Sequence, residues 1–337
     1  MSTVSLRDVA LAAGVSKSSA QRALAGDPRC KGKTRVHVQR IALQMGYRPN
    51  PIFSIMGSRN KHKRLHQVPL AYVRWTGDTE HGSDDIYFTP SALRAEELGY
   101  ILQPFNIKEF QRPGHIWKIL YARGVAGVLL SHIPSDALPL LLQNDRFPAV
   151  CCGRWNQLPF HTVRPGILMA TQRLWSKVVS YGYQKIGVAV CCHTHPLEDD
   201  FCRHAAILAC QQKEGLTGRR AIPPFTRLLS DLTAFLAWVK KYSPDVVIGF
   251  NLSHYQTLVE AGYRIPDDIG YASLHVNSSE MPHQLWSLDQ QYNTIGECAV
   301  NLLDQLIRSG ERGRPAVPLD ILVEPSLVEG ASLRQVS

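Results

Sequence analysis

The sequence predicts an all-α helix-turn-helix module followed by a larger α/β body of two doubly wound subdomains. Three observations predict this division. The first is charge: residues 1–66 hold 13 Lys/Arg and only Asp8 and Asp27 as acids, a net +11, whereas the remainder of the 337 residues sums to −2. The second is a pair of short amphipathic stretches joined by a glycine near the N-terminus. The third is the alternation, from residue 70 onward, of apolar runs with amphipathic stretches, which implies parallel strands linked by helices. About 270 residues is long for one such sheet and suits two similar subdomains.

Composition narrows the function classes. Hydrophobic residues make up 45% and charged residues 19%, values of a globular chain rather than a disordered one. No apolar run approaches the ~18 residues that a membrane span needs. Arg7 and Asp8 interrupt any apolar signal segment, so a cytoplasmic location is expected. Eight cysteines without CxxC spacing fit free thiols better than a disulfide framework. A basic module on a nearly neutral body points to a polyanion for the module and a different partner for the body.

In the module, Ser5 is a plausible N-cap with Asp8 three residues on. Leu6, Val9, Ala10 and Ala13 then fall at i, i+3, i+4 and i+7, one face of a two-turn helix. Gly14 allows a sharp turn, and Ser16 caps a second helix whose apolar positions are Ala20, Ala23 and Leu24. Its other face carries Lys17, Ser18, Gln21 and Arg22. A third helix is expected from Lys33 to Met45, with Val38, Ile41, Ala42 and Met45 as its stripe and Gly46 as its stop. A second helix of this size suits the major groove, where Arg pairs bidentately with guanine O6 and N7. Spacing alone also fits a three-helix miniature domain with a solvated charged face.

Beyond the module, Asn50 and Pro51 can cap and start a short helix through Gly57, and RNKHKRLH (Arg59–His66) reads as a basic linker. Ile52, Phe53, Ile55 and Met56 supply more apolar surface than a linker needs, and a flexible tether packing these residues on the body is the lesser alternative. Strand candidates in the body are Leu70–Trp75, Ile101–Phe105, Val125–His132, Ala149–Gly153, Lys185–Cys192, Val246–Asn251, Gly270–His275 and Ile321–Glu324. Leu168–Ser180 and Leu228–Lys241 read as amphipathic helices.

The stretch Val4–Asn50, with "DVA…AGVS", the Arg22–Gly26 helix end, Thr34–Arg35 and "GYRPN", resembles the headpiece of LacI-family transcription repressors. The resemblance places Lys17, Ser18 and Arg22 where the family reads base edges. It places Ser16, Ser19, Gln21, Thr34 and Tyr47 at phosphates or neighbouring bases, and adds Leu6 and Asn50 to the DNA-binding set. Met56 stands where the family wedges a leucine into the minor groove, and any apolar side chain can unstack a step. Ser19-Ala20-Gln21 replaces the family's Thr-Val-Ser, so the half-site need not match that of other members.

The body resembles the same family more weakly, through "RGVAGVLL", "GYQKIGVAV", "AGYRIPDDIGYASL" and "TIGECAVNLLDQLI". That likeness implies a fold of periplasmic-binding-protein type: two Rossmann-like halves, a small-molecule effector in the cleft, and a homodimer on a pseudo-palindromic operator. The expected organisation is a headpiece over 1–50, a hinge over 51–66 and a body over 67–337. In the body, one subdomain spans 67–180 and 291–318, and the other spans 181–290 and 319–337. Arg203, Asn251, His275, Arg164 and Phe88 are the implied effector contacts. Arg164 and His275 stand where the family has aspartates. Two guanidiniums without balancing acids would favour an anionic sugar acid or sugar phosphate over a neutral sugar.

Cys191-Cys192-His193-Thr194-His195 is a weak zinc candidate, because adjacent strand residues point to opposite faces. There is no GxGxxG, no phosphate loop and no catalytic constellation, so neither a cofactor nor an enzyme is expected. A regulator whose cleft has lost its ligand, and a plain solute-binding protein, are the alternatives.

Overall fold

The computed structural model of the protein describes residues 6–24, 30, 32–45, 68–75, 86–131, 133, 137–153, 158–190, 198–216, 221–228, 230–276 and 285–336. The chain divides into two units, Met1–His66 and Gln67–Ser337. The predicted hinge helix, the basic linker and the Cys191–His195 run lie outside the described residues.

In the first unit, α1 (Leu6–Ala12), α2 (Lys17–Leu24) and α3 (Gly32–Gln44) enclose a small core. Val9, Ala10, Ala13, Ala20, Ala23, Val38 and Ala42 are buried together, with Leu6, Val15, Leu24, Ile41 and Met45 packed around them. The small alanines let the helices approach closely. Gly14 turns the chain between α1 and α2 at φ +64°, and no atom lies within 4 Å of where its Cβ would stand. Its requirement is therefore backbone conformation rather than space.

The second unit holds two sheets. One contains β1 (Val68–Arg74), β2 (Tyr100–Asn106), β3 (Val128–Ser131), β4 (Ala149–Cys152), β5 (His161–Pro165) and β10 (Asp320–Val323), in the order β10-β5-β4-β3-β1-β2 and parallel throughout. The other contains β6 (Ile186–Val188), β7 (Val246–Gly249), β8 (Gly270–Val276), β9 (Trp286–Asp289) and β11 (Ser326–Val328), in the order β11-β9-β8-β7-β6, with only β11 antiparallel. β3 and β4 are buried along their whole length and β1 from Leu70 to Val73, as strands covered on both faces must be.

The described helices of this unit are α4 (Phe88–Glu97), α5 (His115–Ala122), α6 (Leu138–Leu141), α7 (Ile167–Ser180), α8 (Glu198–Lys213), α9 (Leu232–Tyr242), α10 (Leu252–Glu260) and α11 (Tyr292–Ser309). α11 packs on α4 and on β3, β4 and β5; α7 packs on α8, β8 and β9. The Trp175 ring of α7 is buried in the core of the second sheet, among Ile186, Val188, Ile248 and Leu288. Burying a large apolar side chain this fully contributes on the order of 2 kcal/mol.

The crossings between sheets differ from the expected boundaries. The chain leaves the first sheet at Gly166, not near Tyr181, because the apolar stripe of α7 (Ala170, Leu174, Trp175, Val178) faces the second sheet. It returns after Gln290. It leaves again between Val323 and Ser326 rather than at Leu319, because β10 pairs with β5. The first and last crossings lie side by side, with Gly166 N donating to Val323 O at 2.8 Å. The helix expected from Leu228 begins instead at Leu232, where Asp231 caps it by accepting from Ala234 N.

Candidate functional site

The exposed face of α2 follows from its cap and its core. Ser16 Oγ accepts from Ser19 N at 3.1 Å, satisfying one of the free amides of the first turn. The same oxygen lies 3.0 Å from Ser18 Oγ and donates to Ser19 Oγ at 2.9 Å, so three hydroxyls form one polar knot at the helix start. With Ala20 and Ala23 turned inward, Lys17, Ser18, Gln21 and Arg22 are exposed along the opposite side. Arg22 Nε donates to Ser18 O one turn back at 3.3 Å, leaving both terminal guanidinium nitrogens outside that contact. Leu6 is half-buried against the core and Thr34 half-buried in the first turn of α3. Tyr47, Asn50 and Met56 lie outside the described residues. This unit therefore presents long donors in a row on a short capped helix. It suits backbone and base-edge contacts with a duplex.

In the body, the expected effector residues come from strand ends and helix starts of both sheets, where ligands bind in open α/β sheets. Phe88 opens α4, packs edge-on against Tyr72 at 5.2 Å, and carries the Arg74 guanidinium over its ring at 5.7 Å. Asn251 lies two residues past β7 and caps α10, its side chain accepting from Ser253 N at 3.0 Å. His275, near the end of β8, stacks on Phe250 with centroids 5.3 Å apart and hydrogen-bonds through Nε2 to Tyr292 OH. Tyr292 meets Tyr87 edge-on at 5.5 Å. Arg203 is buried on α8 with its guanidinium over the Phe250 ring, 5.0 Å from the centroid. Arg203, Phe250, His275, Tyr292 and Tyr87 thus make one chain of contacts spanning both subdomains.

The charges correct one expectation. Arg164 and Arg203 do not form an unpaired positive patch. Arg164 is gripped by Asp320, with Nε at 2.9 Å from Oδ1 and Nη2 at 2.8 Å from Oδ2. Burial alone would lower the Arg164 pKa, but its bonds and attraction to Asp320 outweigh that and raise it. Arg203 Nη1 pairs with Asp200 Oδ1 at 3.2 Å. Asp199 stands within the field of both guanidiniums, yet its carboxyl is pushed above the usual range because burial outweighs Arg203 and Arg164. The premise of an anion-seeking cleft is removed by three acids of α8 and one of β10.

Asp320 was not legible from the sequence, because it reaches Arg164 only through the β10–β5 register. Phe250, Tyr292 and Tyr87 were missed for a similar reason: nothing local to them marks a ring contact across subdomains. Among the described residues no group of three or more His, Cys, Asp or Glu could hold a metal ion. Among the same residues no helix is long and apolar enough to cross a membrane.

Residues 5–50 match the family model of bacterial regulatory proteins, lacI family. No curated protein matches the chain significantly. Among solved structures, the transcriptional regulator CelR in complex with cellobiose is similar over 98% of this chain and 99% of that one, with a TM-score of 0.62 and 17% identity. The lac repressor dimer bound to operator and the anti-inducer ONPF gives 0.61 and 18% over the same shares. A regulatory protein of LacI family from Chloroflexus aggregans gives 0.63 and 20%, covering 79% of this chain and 98% of that one. At these identities the likeness is one of fold.

Proposed function

We propose that this chain, which carries the DNA-binding domain of the lacI family of bacterial regulatory proteins, is a cytoplasmic transcriptional repressor. In this reading it binds a pseudo-palindromic operator as a homodimer and answers to a small molecule held in the cleft of its body. The observation that carries the reading is the exposed Lys17–Ser18–Gln21–Arg22 face of a helix capped by Ser16 and set by the Gly14 turn. Residues 1–50 form the reading head, 51–66 the hinge that carries the Met56 wedge, and 67–337 the effector-binding and dimerising body. Support for the dimer and operator comes from the shared fold with the lac repressor dimer, and support for a sugar or sugar-derived effector from the CelR–cellobiose complex.

The test is fluorescence anisotropy of the full chain on a duplex selected from a random pool, against unselected duplex. Arg22→Ala is expected to lose roughly 1–3 kcal/mol per half-site and to relax the preference at one base pair. Unchanged affinity and selectivity in that variant would overturn the assignment of α2 as the reading helix.

A further inference from the structure

We propose that the groove between α7 and α8 is a second ligand site of the body and takes an amphipathic carboxylate, a linear apolar chain with an anionic head. The two helices enclose a cavity of about 540 Å³, within the roughly 300–1,000 Å³ of small-ligand sites. Its lining includes none of Arg203, Asn251, His275, Arg164 and Phe88, the residues expected at the cleft. Met169 and Ser180 both line it, eleven positions apart on α7, so the groove runs about 16 Å along that helix. Ala209 and Cys210 of α8 and Leu327 of β11 continue the apolar wall. Burial pushes the Cys210 thiol above its usual range, so it stays neutral and belongs to that wall. Met169 and Leu327 are large apolar side chains that the body itself leaves exposed.

Two observations give the ligand its head. Trp175 lines the cavity, is 1% exposed, and has a buried Nε1 without an acceptor. A buried indole N–H left in this condition is costly, and only an acceptor relieves it. Charge makes the same demand. The ionisable side chains around the groove, apart from Cys210, are Arg173, Lys177, Lys213 and Glu214. Arg173 is paired with Glu324 at 2.6 Å. Lys177 lies over the Tyr181 and Trp286 rings, 5.0 and 4.8 Å from their centroids, and Lys213 makes no ion pair among the described residues. Two ammoniums therefore stand against one carboxylate. Both lysines lie in the last turns of their helices, whereas Met169 lies in the first turn of α7, so the charge and the exposed apolar surface occupy opposite ends. A carboxylate accepts from Trp175 and balances the lysines, while its chain covers Met169 and Ala209. A neutral chain leaves the lysines uncompensated, and a cationic one adds to them.

The test is thermal unfolding of the full chain with decanoate, decanol, decylamine or acetate, each at about 0.5 mM, every response being read against the same protein without ligand. Decanoate is expected to raise the midpoint by about 2 °C or more, and the other three by less than half as much. Lys213→Ala, at an exposed position, is expected to weaken decanoate binding about 3- to 5-fold. Trp175→Phe keeps a ring in the core but removes the donor, and is expected to lose most of the response. Ala209→Trp fills the groove from the exposed side of α8 and is expected to abolish it. No decanoate response, an equal response to decanol, a larger one to decylamine, or a decanoate response that survives Ala209→Trp would each overturn the proposal. Sedimentation of the ligand-free proteins covers the remaining occupant. An assembly of the parent that Ala209→Trp splits would give the groove to a second copy of the chain and overturn the ligand site.

Discussion

His254 gives a stability prediction whose size follows from its surroundings. The ring is almost fully buried on α10, 4.4 Å from the Phe235 ring and edge-on to Phe225. Its Nδ1 accepts from Phe250 N at 3.3 Å, which places the remaining ring proton on Nε2. A second proton has no acceptor there, and burial pushes the pKa from 6.5 down to about 4. The unfolded chain takes up a proton near 6.5 and the folded chain only near 4, so stability is lost as pH falls through that window and levels off below it. At about 1.4 kcal/mol per unit, this one residue costs about 2 kcal/mol of stability between pH 7.5 and pH 5. The assay is urea unfolding of the full chain at both pH values, for the parent and for His254→Gln, which keeps an acceptor for Phe250 N. The variant is expected to be less stable at pH 7.5 through lost ring packing, but its acid loss should be smaller than the parent's by about 2 kcal/mol. That double difference cancels the other titrating groups. Equal acid losses in the two proteins would refute the reasoning.

The remaining predictions concern packing, pairing and DNA. Gly296→Ala places a methyl 2.9 Å from Pro90 and 3.1 Å from the Ser91 backbone nitrogen, so α4 and α11 must separate at a cost of about 1–3 kcal/mol, read by denaturant melts. Arg164→Met removes the ion pair to Asp320 and is expected to cost about 0.5–1 kcal/mol, with the two losses non-additive in the double variant carrying Asp320→Asn. Met56→Ala is expected to lose operator affinity while retaining most binding to random duplex. Equal loss on both duplexes would instead indicate misfolding or a passive tether.

What the sequence made legible was local. The apolar positions of α1, α2 and α3 repeat at helical spacing on one side, so the core of the first unit could be read directly. The buried strands β1, β3 and β7 announce themselves as continuous apolar runs. β5 (HTVRP) and β9 (WSLD) do not, because each mixes polar side chains into a stretch of four or five residues. The boundary near Tyr181 was misplaced because an amphipathic stripe shows that a helix packs, not which sheet it packs on, and the one near Leu319 because the pairing of β10 with β5 is not written in either strand. Arg203 and His275 could be singled out from the sequence, but not the partners they take. Arg164 and Asp320 are separated by 156 positions, and their ion pair exists only through strand register.

The contacts that join the two subdomains bound what any ligand must do. His275 of the second sheet holds Tyr292 at the start of α11, and Tyr292 packs on Tyr87 beside α4. Each such hydrogen bond contributes about 1 kcal/mol net, and a charged one about 1.5–3 kcal/mol. A molecule that binds both arrangements of the cleft equally shifts nothing, however tightly it is held. Carrying a two-state equilibrium from 1:99 to 99:1 takes about 5.5 kcal/mol of differential affinity. A single hydrogen bond such as His275–Tyr292 is too small to carry that change alone, so several contacts would have to differ between the two arrangements.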